Sequence, residues 1–560
     1  MLHWVRLVSR FRVTVAVVLV QCAALMSVSL LIGDNGWDDG AITLAFARTF
    51  ARHGRIALTP RSEVVEGFSS VSWFLLNALA ALARPSYRAA IALCQAMSVV
   101  SLGACTLLLA RTCALLRLDR MFTALTLIAF AAWGGWFSEA GNGMEMGLLA
   151  AACLLMINEL LSPQPRPALL AAGAVLAVTT RFEAVLYVGL LGLAVAAVPG
   201  RRAFRTIALS GLVTVALLTA FRLAAFSDVL PNTFWAKRWP PYAAFGVGDR
   251  LAGVLELPRL FVGPLLALAF AARAGLDLPG VLRSRRQTLA ILAAPMLGAV
   301  VMGAATGRHW GYPGRMPSFA VAPTLALLAR LLADWVAAAR ARLRVAVAVG
   351  SLAAAVVASQ VGFPVGFLGG ALHGGAFGVT PHTYAQSGQV FRRFADAAGL
   401  EHPTILTSDV GGLALCCDEL EIVDLAFLSN KTLAHQGPGA LGGVLAAASP
   451  ELVEAHWRWP AVAGLYQLPA FRARYMPAFA GGTKLWVRRD VAQAIARAGR
   501  GCSLPLARQD VKRAVDAHRY ASTDLPDDRA SFARQGLVLV LDQTAPDGVN
   551  LCRPPAPVPD

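Results

Sequence analysis

Charge is what this chain has least of. Only 15% of its 560 residues are Asp, Glu, Lys or Arg, while 57% are hydrophobic. That balance excludes both an ordinary soluble domain and a disordered chain. In place of charge, apolar runs of roughly 17–25 residues recur, the length needed to cross a bilayer. Ionisable residues are almost missing from the middles of those runs. Ion-coupled transporters place acids, His or broken helices near the midplane, so this scarcity weighs against passage through the membrane. No small-x-small cleavage site follows the first run, Val13–Ile32, which therefore reads as a retained helix rather than a removable signal. None of the nine cysteines sits in a Cys/His spacing that resembles a zinc site. No metal or other cofactor is expected; a divalent cation is compatible with the sequence but not indicated by it.

Acids are scarcer than bases, 33 against 50, for a net charge of +17. Where the bases lie decides against nucleic acid as a partner. Spans read at about 13–32, 89–110, 121–137, 146–161, 168–180, 184–199, 206–226, 257–272, 289–306, 317–337 and 345–363. The loops 1–12, 111–120, 162–167, 200–205, 273–287 and 338–344 then hold 17 Arg and only two acids, Asp119 and Asp277. By the positive-inside rule these loops are cytoplasmic. The fold expected is mostly α: a polytopic domain of about 11 transmembrane helices over 1–368, and an outer α/β domain over 369–560. The N-terminus is then cytoplasmic. Val71–Ala83, only 13 residues, is expected to lie re-entrant or interfacial instead of crossing.

With that topology every polar constellation falls on one side. The first outer loop, 33–88, carries Trp37-Asp38-Asp39-Gly40 and Glu66-Gly67-Phe68-Ser69-Ser70. Adjacent carboxylates at the mouth of a span are costly to desolvate and unnecessary for anchoring, which marks them as functional candidates; Asp39 as a helix N-cap is the plainer alternative. Further outer loops carry Glu139–Glu145, Thr180-Arg181-Phe182-Glu183, Pro231–Arg238 and Gly307–Arg315. Arg181 with Glu183 reads first as a structural ion pair. Lys237 is either a snorkelling interfacial lysine or an anion ligand. Glu145 either caps the helix after it or meets substrate. Trp235, Trp239 and Trp310 read as interface anchors and, second, as stacking platforms for a ligand.

Beyond Gly369 no apolar run is long enough to span. Tyr384–Ala398 reads as an amphipathic helix, and Thr404–Thr407, Glu421–Leu425, Lys484–Val487 and Leu537–Leu541 as strands. Cys502 and Cys552 suit a disulfide in an oxidising compartment, whereas the adjacent Cys416 and Cys417 are expected to be two buried thiols.

The run from Trp37-Asp38-Asp39 to Val65-Glu66-Gly67-Phe68-Ser69-Ser70 resembles the first outer loop of C-type (GT-C) membrane glycosyltransferases. Within them it is most similar to the terminal arabinofuranosyltransferase branch. Gly143-Met144-Glu145, Pro231-Asn232-Thr233-Phe234-Trp235-Ala236-Lys237 and Val423-Asp424-Leu425 resemble further elements of that branch, in the same order. Two positions depart: Gly307-Arg308-His309-Trp310 stands where the branch has Gly-Gly-Asp before an aromatic, and Ala41 precedes Ile42 without the usual aromatic. The resemblance implies a multi-pass protein of a bacterial inner (plasma) membrane. Such a protein transfers a sugar, arabinofuranose in that branch, from a polyprenyl-phosphate donor to a cell-envelope glycan or glycoprotein on the outer face. A transporter or flippase of lipid-linked sugars is the alternative reading, and an envelope scaffold that binds glycan a third. For transfer, Asp38 and Asp39 are the catalytic carboxylates, with Asp38, which opens the motif, as the base. Lys237, Arg238, Arg308, His309 and Arg315 are the cations for the donor phosphate. Glu66, Glu145, Asn232, Trp235, Trp310 and Tyr312 are the further substrate contacts.

Overall fold

The computed structural model describes residues 2–31, 38–196, 201–242, 246–273, 280, 283–306, 315–338, 342–362, 380–455, 458–480, 483–516 and 526–541. Among them, six helices are long and apolar enough to cross a membrane: Phe11–Leu30, Tyr87–Leu115, Arg202–Phe226, Arg286–Ala305, Met316–Ala337 and Arg342–Gln360. A seventh crossing is available if Arg120–Ala131 and Gly135–Asn142, bent by 50° at their junction, count as one. The remaining expected spans are shorter helices, Met146–Leu161, Pro167–Thr180, Ala184–Ala196 and Val262–Arg273. At 1.5 Å per residue a 16-residue helix reaches ~24 Å against a hydrocarbon core of ~30 Å. Four of the eleven expected crossings therefore fall on helices too short to cross unaided.

Val71–Ala81 is a separate short helix, capped by the Ser70 hydroxyl, which accepts the Trp73 N–H. Trp73, Phe74, Asn77 and Ala78 face inward, while Leu75, Leu76, Leu79 and Leu82 are exposed. An 11-residue helix with one apolar face packed and the other bare suits an interfacial position, not a crossing.

Among the described residues seven strands form one mixed sheet: Thr404–Thr407 (β1), Glu421–Asp424 (β2), Leu452–Val453 (β3), Tyr475–Ala480 (β4), Thr483–Arg488 (β5), Cys502–Pro505 (β6) and Leu537–Val540 (β7). Their order is β2-β1-β3-β5-β4-β7-β6. β1 runs parallel to β2 and β3, β4 and β5 form an antiparallel pair, and β7 is parallel to β4 but antiparallel to β6. The four expected strands are present. β3, β4 and β6 were not anticipated; β3 has two residues, too few for any period to register. The expected amphipathic helix spans Pro381–Ala398, begun by the Thr380 hydroxyl and ended by Gly399 at φ 71°.

One hydrophobic cluster joins the two parts of the chain. Phe46, Phe68, Trp73, Phe74 and Cys94 pack in it with Phe391, Phe394, Ile405, Leu413 and Leu485. The stretch from Ala41 to Phe74 is thus built into the core beneath the sheet. The expected boundary at 368/369 lies outside the described residues.

The cysteines require one correction. Cys416 and Cys417 are not two thiols but a disulfide between neighbours, with Cα atoms 3.7 Å apart. Spacing rules favour partners farther apart. Here the helix Gly411–Cys416 ends at the pair, and Cys417 leaves helical geometry at φ −135°, ψ 79°, which brings the two sulfurs together. Cys502 is also disulfide-bonded; Cys552 lies outside the described residues.

Candidate functional site

The helix Asp38–His53 sets the site, because its two faces do different things. Successive helical side chains point about 100° apart. Asp38, Ala41 and Arg48 share the face toward the helix Gly411–Cys416. Asp38 accepts the backbone N–H groups of Gly411 at 2.7 Å and Gly412 at 2.6 Å, and Arg48 donates to the Leu415 carbonyl. Asp39, Ile42 and Thr43 share the other face and line an open cleft of about 70 Å³. The helix can lie this close because position 40 is glycine: a Cβ there would sit 1.8 Å from the Asn142 carbonyl oxygen.

The cleft is completed by Ser69, Ser70, Glu145, Arg181, Thr233, Lys237, Tyr242 and Arg315, among others. Its charged groups form a chain. Arg315 meets Asp39 at 3.4 Å and Glu145 at 3.8 Å; Arg181 meets Glu145 at 2.8 Å and Glu183 at 3.2 Å. Burial alone would raise the Glu145 carboxyl, but Arg181 and Arg315 hold it below its ordinary value. Glu145 therefore does not act through its side chain as a helix cap. Its turn is fixed by Gly143, left-handed at φ 60°, whose carbonyl accepts the Trp73 indole N–H at 3.0 Å. Lys237 stands apart from this chain, with no carboxylate in ion-pair range among the described residues. Burial, then Arg181 and Arg315, lower its ammonium to about 8, against the opposing pull of Glu183. A half-buried cation without an ion-pair partner among the described residues, beside two arginines, has the chemistry to receive an anion.

Asp38 is buried and takes no part in the cleft wall. Burial and then Asp409 push its carboxyl up to about 8, while the Gly412 and Gly411 amides pull it down. Asp39 is the acid that faces open space, with its side chain 34% exposed.

The other candidates lie elsewhere. Glu66 is sealed against Arg222, Oε2 to Nε 2.6 Å and Oε1 to Nη2 2.9 Å, so it anchors the loop to the helix Arg201–Phe226. Asn232 donates to the carbonyls of Phe427 and Leu428 at 3.2 and 2.8 Å and clasps the sheet-bearing part. Trp235 donates to Asp228 at 3.0 Å and packs on His435, while Arg238 lies over its ring at 5.3 Å. These four side chains form a seam apart from the cleft wall. Asp424 is buried and accepts from Ala426 N–H, Ser429 N–H and the Ser429 hydroxyl, shaping the turn that presents Leu428 to the cleft. Arg308, His309, Trp310 and Tyr312 lie outside the described residues.

Arg181, Tyr242, Ser69, Ser70 and Thr233 were not singled out from sequence as site residues. Arg181 did carry a signal, an arginine at the end of an apolar helix, but the nearby Glu183 pointed to a local pair, which is also present at 3.2 Å. Among the described residues no group of three or more His, Cys, Asp or Glu could hold a metal ion. No family model matches the chain, and no curated protein matches it significantly.

Proposed function

We propose that the protein is a multi-pass membrane glycosyltransferase of GT-C type. It moves a sugar, arabinofuranose as the resemblance implies, from a polyprenyl-phosphate donor to an envelope glycan or glycoprotein on the outer face. The observation that carries the reading is one cleft holding an accessible carboxylate, Asp39, within reach of a cationic group set made of Arg315, Arg181 and Lys237. Transfer asks for that pairing. As the acceptor hydroxyl attacks the anomeric carbon, its proton needs a base, and Asp39 accepts it. The bond from the anomeric carbon to the phosphate oxygen breaks, and the leaving lipid phosphate gains a negative charge. Lys237 and the two arginines offset that charge as it develops. Ser69 and Thr233, whose hydroxyls meet at 3.2 Å, offer the hydroxyls for sugar recognition, while the Tyr242 hydroxyl donates to the Ala426 carbonyl at 3.2 Å and its ring forms part of the wall.

This moves the base from Asp38 to Asp39 and gives Asp38 a positioning role. Six helices long enough to cross, or seven if the bent pair counts as one, and a core shared by the cleft helix and the sheet support a topology with both on one side, which the loop arginines make the outer one. A reporter active only outside the cytoplasm should work when fused after Gly369 and stay silent after Arg286; the reverse pattern refutes the orientation. Transfer assays with purified protein and a panel of synthetic polyprenyl-phosphate sugars test the activity. No transfer from any donor, with donors instead crossing the bilayer of proteoliposomes, would favour a flippase.

A further inference from the structure

The Cys416–Cys417 bond sits where no change in it can stay local. On one side is Gly388 of the helix Pro381–Ala398: a Cβ there would lie 2.5 Å from the Cys416 sulfur and 2.8 Å from the Cys417 sulfur. The disulfide is therefore fitted against bare backbone. On the other side, the helix that ends in the pair is bound along its length to Asp38–His53. Its first amides hold Asp38 at 2.6–2.7 Å. Its last turn is held by Arg48 at the Leu415 carbonyl, and Asp418 beyond it pairs with Arg48 at 3.1 Å and Arg52 at 3.6 Å. Asp39 is the next residue after Asp38, so the cleft carboxylate is positioned by the element that carries the disulfide.

We propose that Cys416–Cys417 is a thiol–disulfide exchange site for dithiol reductants, and that its reduction releases the helix Asp38–His53 from its seat. Cys416 is half-buried and Cys417 fully buried, so the incoming thiolate attacks the Cys416 sulfur. The S–S bond breaks, its electron pair leaves on Cys417, and a mixed disulfide forms at Cys416. The reductant's second thiolate then attacks its own sulfur in that mixed disulfide and frees Cys416. The reductant departs as a disulfide, and its two thiol protons end on Cys416 and Cys417. Two unbonded thiols need more room than a bonded pair. Gly388 leaves none on its side, so the helix Gly411–Cys416 must yield. The hydrogen bonds that position Asp38 yield with it.

This goes beyond the transferase reading and does not depend on it, since the test reads structure. The probe is dithiothreitol on the full-length protein in lipid nanodiscs. A Cys502→Ser background is used so that the other bridge contributes nothing. Amide exchange is followed at 38–53 and at Gly411 and Gly412, with alkylation of 416 and 417 read by mass spectrometry. Reduction is expected to speed exchange at these amides about tenfold or more and to be reversed on reoxidation. Cys416→Ala/Cys417→Ala should not respond to the reductant. The proposal is overturned if both thiols become alkylated while exchange is unchanged, if they alkylate without reductant, or if the double alanine variant responds equally. Should that variant fail to accumulate, the reduction arm decides alone.

Discussion

Asn substitution at the two neighbouring acids should separate catalysis from positioning. At Asp39 it keeps size but removes the proton acceptor, so turnover should fall by about 10²-fold or more, the usual contribution of a general base. Stability should hardly move, because the Asp39–Arg315 contact is 3.4 Å long with a one-third-exposed acid, a class of pair worth about 0–1 kcal/mol. At Asp38 the outcome inverts. Its two oxygens each take one amide, Gly411 and Gly412; an Asn offers one acceptor and turns an NH₂ against the other N–H. One buried amide left unpaired costs about 1–3 kcal/mol. Below about pH 8 the Asp38 carboxyl is mostly protonated and its hydroxyl oxygen is already the weaker acceptor, so a loss near the low end is expected, with turnover reduced less than tenfold. The pH dependence adds a signature. The folded value of about 8 lies above the unfolded value of about 3.9. The folded state therefore binds the extra proton, and Asp38 contributes its stability at low pH and loses it as pH rises through about 8. The Asn variant should show a flatter pH–stability curve over that window. The assays are transfer rate from a polyprenyl-phosphate sugar and thermal midpoint on the same purified variants. Normal turnover in Asp39→Asn with lost turnover in Asp38→Asn would refute the assignment; normal turnover in both would remove the cleft from the chemistry.

Lys237→Ala should weaken donor binding by about 10- to 100-fold, the loss of one charge-assisted contact, with a smaller effect on the bound-state rate. In the native protein donor affinity should fall as pH rises above about 8, where Lys237 loses its proton; titration calorimetry against pH checks both. Glu66→Ala should destabilise the protein by about 3–5 kcal/mol because Arg222 is left buried and unpaired. Glu66→Met/Arg222→Met should recover much of that loss in chemical denaturation. Gly40→Ala should prevent proper assembly, since its Cβ would overlap the Asn142 carbonyl oxygen at 1.8 Å, whereas the exposed Gly439→Ala, with no atom within 4 Å of the added Cβ, should leave accumulation and thermal midpoint unchanged.

The sequence by itself determined what repeats locally or accumulates along the chain. Apolar runs marked the six long helices, loop arginines implied their orientation, and period-two and period-three-to-four patterns placed β1, β2, β5, β7 and the helix Pro381–Ala398. It also brought Asp39, Glu145, Lys237 and Arg315 under suspicion, because polar residues at the ends of apolar helices are rare enough to notice. Only the tertiary structure decided what each of them meets. Asp38 and Asp39 are indistinguishable as letters, yet a turn of about 100° on one helix gives the first to amides 373 and 374 residues away and the second to the cleft. Glu66 finds its arginine 156 residues on, and Asn232 its carbonyls 195 and 196 residues on. No local period encodes such partners. The neighbouring cysteines close into a disulfide because a helix ends between them and a glycine faces them. Those are properties of packing, which sequence spacing does not carry.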